Sequence, residues 1–150
     1  MRAVPSILLA EDNPSDVFLV QEALRAAEVD CNLHVLTDGA QVVDFIDALD
    51  ADGNTSGLDL LLLDMHLPKR DGREILQRLR CTKRLSGTPV VIMTGSDLRH
   101  DNEDDAALHY FSKPITLSAF MEIGIIVRDV LAGRAPSNRA TGEWKVAGIA

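Results

Sequence analysis

Five polar residues close four separate apolar runs in this chain. Glu11 and Asp12 follow Ile7-Leu8-Leu9-Ala10, and Asp64 follows Leu60-Leu61-Leu62-Leu63. Thr94 follows Val90-Val91-Ile92-Met93, and Lys113 stands just beyond the run from Leu108 to Phe111. Three carboxylates crowded together repel one another unless a cation is present. Mg²⁺ meets that need, because it prefers oxygen ligands and is typically held by one or two carboxylates, with water or phosphate supplying the rest. Asp64 is then a candidate nucleophile, since carboxylates form aspartyl-phosphate intermediates. Lys113 offers fixed positive charge, and Thr94 a hydroxyl donor, to a transferred phosphoryl group. Taken singly, each residue is ordinary; an acid at a strand end is usually a helix cap or a solvated charge. Their joint occurrence at four strand ends, in this order, points to a metal and phosphoryl site. No glycine-rich phosphate loop occurs, which argues against a bound nucleotide.

Such residues act together only if the fold brings them together. Short apolar runs that end at a polar residue and alternate with helical stretches read as parallel strands. The first strand covers Ser6 to Ala10, after which Asn13-Pro14-Ser15 punctuates the chain, with Ser15 as the expected N-cap. Val17, Val20, Leu24 and Ala27 have helical spacing, and Asn32 to Leu36 alternates as an edge strand does. Val42, Phe45, Ile46 and Leu49 fit one helix face, and a polar loop is expected from Asp50 to Gly57. Leu60 to Leu63 is apolar at every position, as a central strand covered on both faces would be. A helix carrying Ile75, Leu76 and Leu79 follows, then the strand Val90 to Met93, a strongly acidic segment from Asp97 to Asp105, the fifth strand, and a last helix from Leu117 to Leu131. Five strands alternating with five helices predict a right-handed, doubly wound α/β parallel sheet. In such a sheet ligands sit outside the carboxyl ends of the strands, where these five residues lie.

At 150 residues the chain is long enough for one domain with a real core, and 46% hydrophobic with 25% charged residues is an ordinary globular composition. A net charge of -8 disfavours nucleic acid and anionic membrane surfaces as partners. No apolar stretch is long enough to span a bilayer, and the N-terminus does not read as a signal peptide. Cys31 and Cys81 lack metal-ligand spacing and read as reduced thiols, so a cytoplasmic location is expected.

The motifs Leu9-Ala10-Glu11-Asp12-Asn13, Leu63-Asp64-Met65-His66-Leu67-Pro68 with Gly72, Met93-Thr94-Gly95 and Tyr110-Phe111-Ser112-Lys113-Pro114 resemble those of a two-component response regulator receiver domain. The resemblance spans roughly residues 5 to 133, so residues 1–133 are expected to be the receiver and 134–150 a tail. It implies a flavodoxin-like fold with strand order 2-1-3-4-5. It implies that Asp64 accepts phosphate from a histidine kinase, that Asp12 and Asp64 bind Mg²⁺ directly with Glu11 acting through water, and that the His66 main-chain carbonyl is a further ligand. Lys113 would pair with the phosphoryl group, while Thr94 and Tyr110 would form the switch. His66 and Ser96 would tune dephosphorylation, His66 by shielding or orienting the attacking water. The only chemistry implied is self-phosphorylation and self-dephosphorylation, not turnover of a separate substrate.

Two features depart from the usual receiver pattern. The stretch between Thr94 and Lys113 is short and carries the acidic run Asp101 to Asp105 in place of a well-patterned fourth helix. The loop after the second helix is long, which resembles the small regulators paired with bacterial and cyanobacterial phytochromes, so a bacteriophytochrome is the expected kinase. Only 17 residues follow Gly133, too few for an output domain, so the signal is expected to leave by protein contact. In the last helix, Leu117, Phe120, Met121, Gly124 and Leu131 form one apolar stripe and Ile123, Ile126, Val127 and Val130 extend it. A helix apolar around most of its circumference is buried on more than one side. A homodimer is therefore expected through this helix and the fifth strand, using Phe120, Ile123, Ile126, Val127 and Val130 with Trp144 of the tail. The competing expectation is a pseudo-receiver, a binding module that takes no phosphate. A flavin carrier would want a Ser/Thr/Gly-rich loop where Glu11-Asp12-Asn13-Pro14 stands, and a haloacid-dehalogenase-type phosphatase would carry its nucleophile after the first strand.

Overall fold

A computed structural model describes residues 4–52, 57–95 and 107–134. The expected sites at Ser96 and Trp144, and the acidic run from Asp101 to Asp105, lie outside the described residues. Five parallel strands form one sheet in the order β2-β1-β3-β4-β5: β1 Ser6–Ala10, β2 Asn32–Leu36, β3 Leu60–Asp64, β4 Val90–Thr94 and β5 Leu108–Ser112. The all-apolar β3 is central and every residue of it is buried, while the alternating β2 lies at an edge. This is the doubly wound flavodoxin-like arrangement expected from the sequence.

Side chains of alternate parity divide the core into two layers. Leu8, Ala10, Leu61, Leu63, Val90 and Ile92 pack under helices α2 (Gly39–Ala51) and α3 (Gly72–Cys81). Ile7, Leu9, Leu60, Leu62, Val91 and Met93 pack under α1 (Pro14–Ala26) and α5 (Glu122–Leu131).

Helix starts follow side-chain capping, because the first turn leaves backbone N–H groups without intrahelical partners. Asp38 caps α2 by accepting from Gln41 N at 2.8 Å, and Asp71 caps α3 by accepting from Glu74 N at 3.0 Å. The cap of α1 is Asn13, not Ser15: its Oδ1 accepts from Ser15 N at 2.9 Å, and Pro14 occupies the first helical position, where its missing N–H costs nothing. Helix α2 runs to Ala51, so Asp50 and Ala51, expected in the loop, belong to the helix.

The last helix is broken. A four-residue helix, α4 (Leu117–Phe120), is capped by Thr116, and α5 begins after Met121. At the junction Gly124 N donates to Met121 O, a bond three residues back rather than four, which tightens the turn. The expected dimer face is corrected here. Phe120, Ile123, Ile126, Val127 and Val130 are all buried within the chain, in the layer shared with α1 and the sheet. The wide apolar arc of this helix covers two neighbours in its own domain, which is why it reads as two-sided. The exposed large apolar residues of this region are Ile115 and Leu117, before the main helix.

Close approach of α5 to α1 is set by Gly124. A Cβ at that position would overlap the Ala23 carbonyl oxygen of α1. Gly124→Ala is therefore expected to cost about 1–3 kcal/mol of stability, as overpacked core positions do. Urea denaturation should show a lowered midpoint for Gly124→Ala, and an unchanged midpoint for Gly87→Ala, whose added Cβ would meet nothing.

Candidate functional site

The tips of β1, β3 and β5 bring Glu11, Asp64 and Lys113 together, with Thr94 at the neighbouring tip of β4. Glu11 follows β1, with its backbone N–H donating to Leu36 O of β2 at 3.0 Å. Asp64 is the last residue of β3, and Thr94 the last of β4. Lys113 follows β5, and its backbone N–H donates to Thr94 O at 2.8 Å, which fixes the two strand tips side by side.

The side chains of Glu11, Asp12 and Asp64 each place a carboxylate oxygen within 4.8 Å of the others. Glu11 and Asp64 are buried, whereas Asp12 faces solvent. The donors are all hard oxygens, and three acids at this spacing carry more negative charge than one lysine offsets. That chemistry fits a hard divalent cation such as Mg²⁺. Lys113 Nζ lies 2.8 Å from Glu11 Oε1 and 3.3 Å from Asp64 Oδ2. Asp64 Oδ1 accepts from the backbone N–H of His66 at 2.9 Å, so both oxygens of the acceptor are held. The His66 side chain is exposed beside this loop.

A third acid on Lys113 was not among the expected site residues. Asp16 Oδ2 lies 2.8 Å from Nζ, as near as Glu11. With Asn13 as the cap, Asp16 falls in the first turn of α1, directly beyond the tip of β1. A cap at Ser15 also leaves it in the first turn, where the sequence alone shows only an acid near a helix start.

Thr94 is buried, and Tyr110 is half-buried against the layer under α2 and α3. Tyr110 pairs in register with Ile92, two residues before Thr94 on the same face of β4. The two expected switch residues thus share one face of neighbouring strands. Glu11, Asp64 and Lys113 belong by parity to the opposite face, the one covered by α1, in keeping with the Asp16 contact.

Residues 7–123 match the response regulator receiver domain family. The chain belongs to that family. Among its relatives, the response regulator Rcp1 of Synechocystis is 39% identical over 104 residues, covering 69% of this chain and 68% of that protein. The crystal structure of the phosphorylated cyanobacterial phytochrome response regulator RcpA superposes with a TM-score of 0.72 at 30% identity, covering 87% of this chain and 95% of that one. The Mn²⁺-bound form of Rcp1 gives a TM-score of 0.69 at 31% identity, covering 89% and 99% of the respective chains. This receiver is thus related to phytochrome response regulators. No helix among its described residues is long and apolar enough to cross a membrane.

The electrostatics follow from the crowding. Burial pushes the Glu11 carboxyl up to about 7; the Lys113 hydrogen bond opposes this, and the nearby Asp64 adds to it. Burial alone would lower Lys113, but hydrogen bonds to Asp16 and Glu11 and the charges of Glu11 and Asp64 outweigh it and hold the ammonium above its ordinary range. A carboxyl whose folded value is raised contributes stability that is fully present below its ordinary value of 4.5 and is lost as the pH climbs through about 7. In metal-free protein, the stability of the wild type relative to Glu11→Gln should therefore fall between pH 4.5 and 7. Denaturant midpoints across that range would show it, and a pH-independent difference would contradict it.

Proposed function

We propose that this receiver accepts a phosphoryl group on Asp64 from the phosphohistidine of a sensor histidine kinase of the phytochrome class and passes the signal on by protein contact. The observation that carries this reading is the meeting of Lys113 Nζ with Asp64 Oδ2 at 3.3 Å, inside a cluster of three carboxylates. Relationship to phosphorylated RcpA and to Mn²⁺-bound Rcp1 supports it. The encounter with that kinase is proposed to take place in the cytoplasm, in keeping with the free thiols of Cys31 and Cys81.

In the transfer, the Asp64 carboxylate oxygen attacks phosphorus, the phosphorus–nitrogen bond of the phosphohistidine breaks, and the imidazole nitrogen leaves with the electron pair. Asp12, Asp64 and the His66 carbonyl would hold Mg²⁺, with Glu11 helping through water. The bound ion supplies neutralisation of the charge developing on the phosphoryl oxygens. Lys113 shares that task from the protein side, already desolvated and oriented by the strand tips. Its backbone bond to Thr94 keeps the threonine close to the group it would sense. Movement of Thr94 toward the phosphate would leave room into which the Tyr110 ring turns, shifting the population of two surface arrangements.

With Mg²⁺ and acetyl phosphate, intact mass should show one phosphate adduct in the wild type and none in Asp64→Asn. An absent adduct at every Mg²⁺ concentration would favour a phosphorylation-independent binding module. For His66, the exposed side chain beside the acceptor is expected to influence the attacking water. His66→Asn should change the lifetime of the adduct, followed by mass over time, and an unchanged lifetime would remove His66 from the reaction.

A further inference from the structure

Lys113 has more partners than a phosphorylated acceptor leaves room for. An ammonium offers three N–H donors and no acceptor. Glu11, Asp16 and Asp64 take all three, at 2.8, 2.8 and 3.3 Å. The acceptor has the longest of these contacts. A phosphoryl group on Asp64 brings new oxygens and further negative charge to the same nitrogen, so one existing contact must lengthen or break.

The three acids differ in what losing Lys113 would cost them. Glu11 is fully buried, and an unpaired charge there would be expensive. Asp64 carries the incoming group and stays by necessity. Asp16 has a side chain 19% exposed and sits at the rim, in the first turn of α1, where water can take over its hydrogen bonds. Its contact with Lys113 spans 97 residues, so it is a tertiary tie and not only an acid placed near a helix start.

We propose that Asp16 is a positioning residue that holds Lys113 in the resting state and opposes its transfer to the phosphoryl group. Two effects act in the same direction. Asp16 occupies a donor that the phosphoryl oxygens need, and its charge repels them from within hydrogen-bonding distance of the same nitrogen. An interaction stronger in the unphosphorylated state shifts the population toward that state. The inference rests on the receiver reading above, with Asp64 as the acceptor.

The test uses beryllofluoride, a phosphoryl mimic, with the full chain at saturating Mg²⁺, by calorimetry on the wild type, Asp16→Asn and Asp16→Glu. Asp16→Asn should bind beryllofluoride about three- to tenfold more tightly, the scale of one partly screened charge. Asp16→Glu keeps the charge and should match the wild type. Mg²⁺ alone should bind Asp16→Asn no more tightly than the wild type, because the variant has lost a negative charge. A merely structural role would weaken both ligands in Asp16→Asn along with its thermal midpoint. Beryllofluoride affinity in Asp16→Asn equal to or below that of the wild type would overturn this inference and leave the receiver reading standing. No uptake by the wild type, under conditions where Mg²⁺ binds, would overturn both.

Discussion

One ammonium holds this site together. Lys113 reaches Glu11 just beyond β1, Asp16 in α1 and Asp64 at the end of β3, so acids 49 to 102 residues away from it in sequence meet on a single nitrogen. Burying a carboxylate is costly unless it is paired, bound to a cation or protonated, and Lys113 is the cation that offsets Glu11 and Asp64 in this cluster. The same balance leaves the cluster net negative. That surplus is what a divalent cation can use, and it is why metal and lysine act as complementary partners there.

The rest of the fold serves to keep that nitrogen in place. The Lys113 backbone is tied to Thr94, and the Glu11 backbone to Leu36, so each charged tip is anchored through the neighbouring strand. Asn13 connects the site to α1 twice: its side chain caps the helix, and its backbone N–H donates to Glu11 Oε2 at 3.1 Å. Beyond Asp64, Gly72 N donates to Met65 O and Gly39 N to Pro68 O, which ties the loop after the acceptor to the starts of both α3 and α2. Within this loop Lys69 adopts a left-handed backbone at φ 72° and its side chain pairs with Asp38, the cap of α2. The loop that carries His66 is thus braced from two helices.

Much of this was legible in the sequence because strand ends were marked chemically. Four apolar runs, each closed by a polar residue, located β1, β3, β4 and β5 and with them the acceptor, the acids and the lysine. Helix ends were harder to read, since Asn13 and Ser15 are both good caps and only the preference of Pro14 for the first helical position separates them. Neither cap reveals the role of Asp16, because its contact with Lys113 joins residues 97 apart in sequence. The last helix was misread for a related reason. Its apolar arc is wide enough for two surfaces, but a sequence does not say whether the second is another chain or α1. Gly124 carries the answer, because it lets α1 come close enough to bury Phe120, Ile123, Ile126, Val127 and Val130.

The matched register of the strands has a consequence for how such a chain can change length. Adjacent strand residues stand about 3.3 Å apart and point to opposite faces. Deleting one residue within β3 would draw Asp64 back by that distance and turn its carboxylate toward the layer under α2 and α3, away from Lys113. No rotamer change recovers such a displacement. A change of length that leaves this site intact is therefore expected in a segment between elements, such as the stretch following α2, and not within β3.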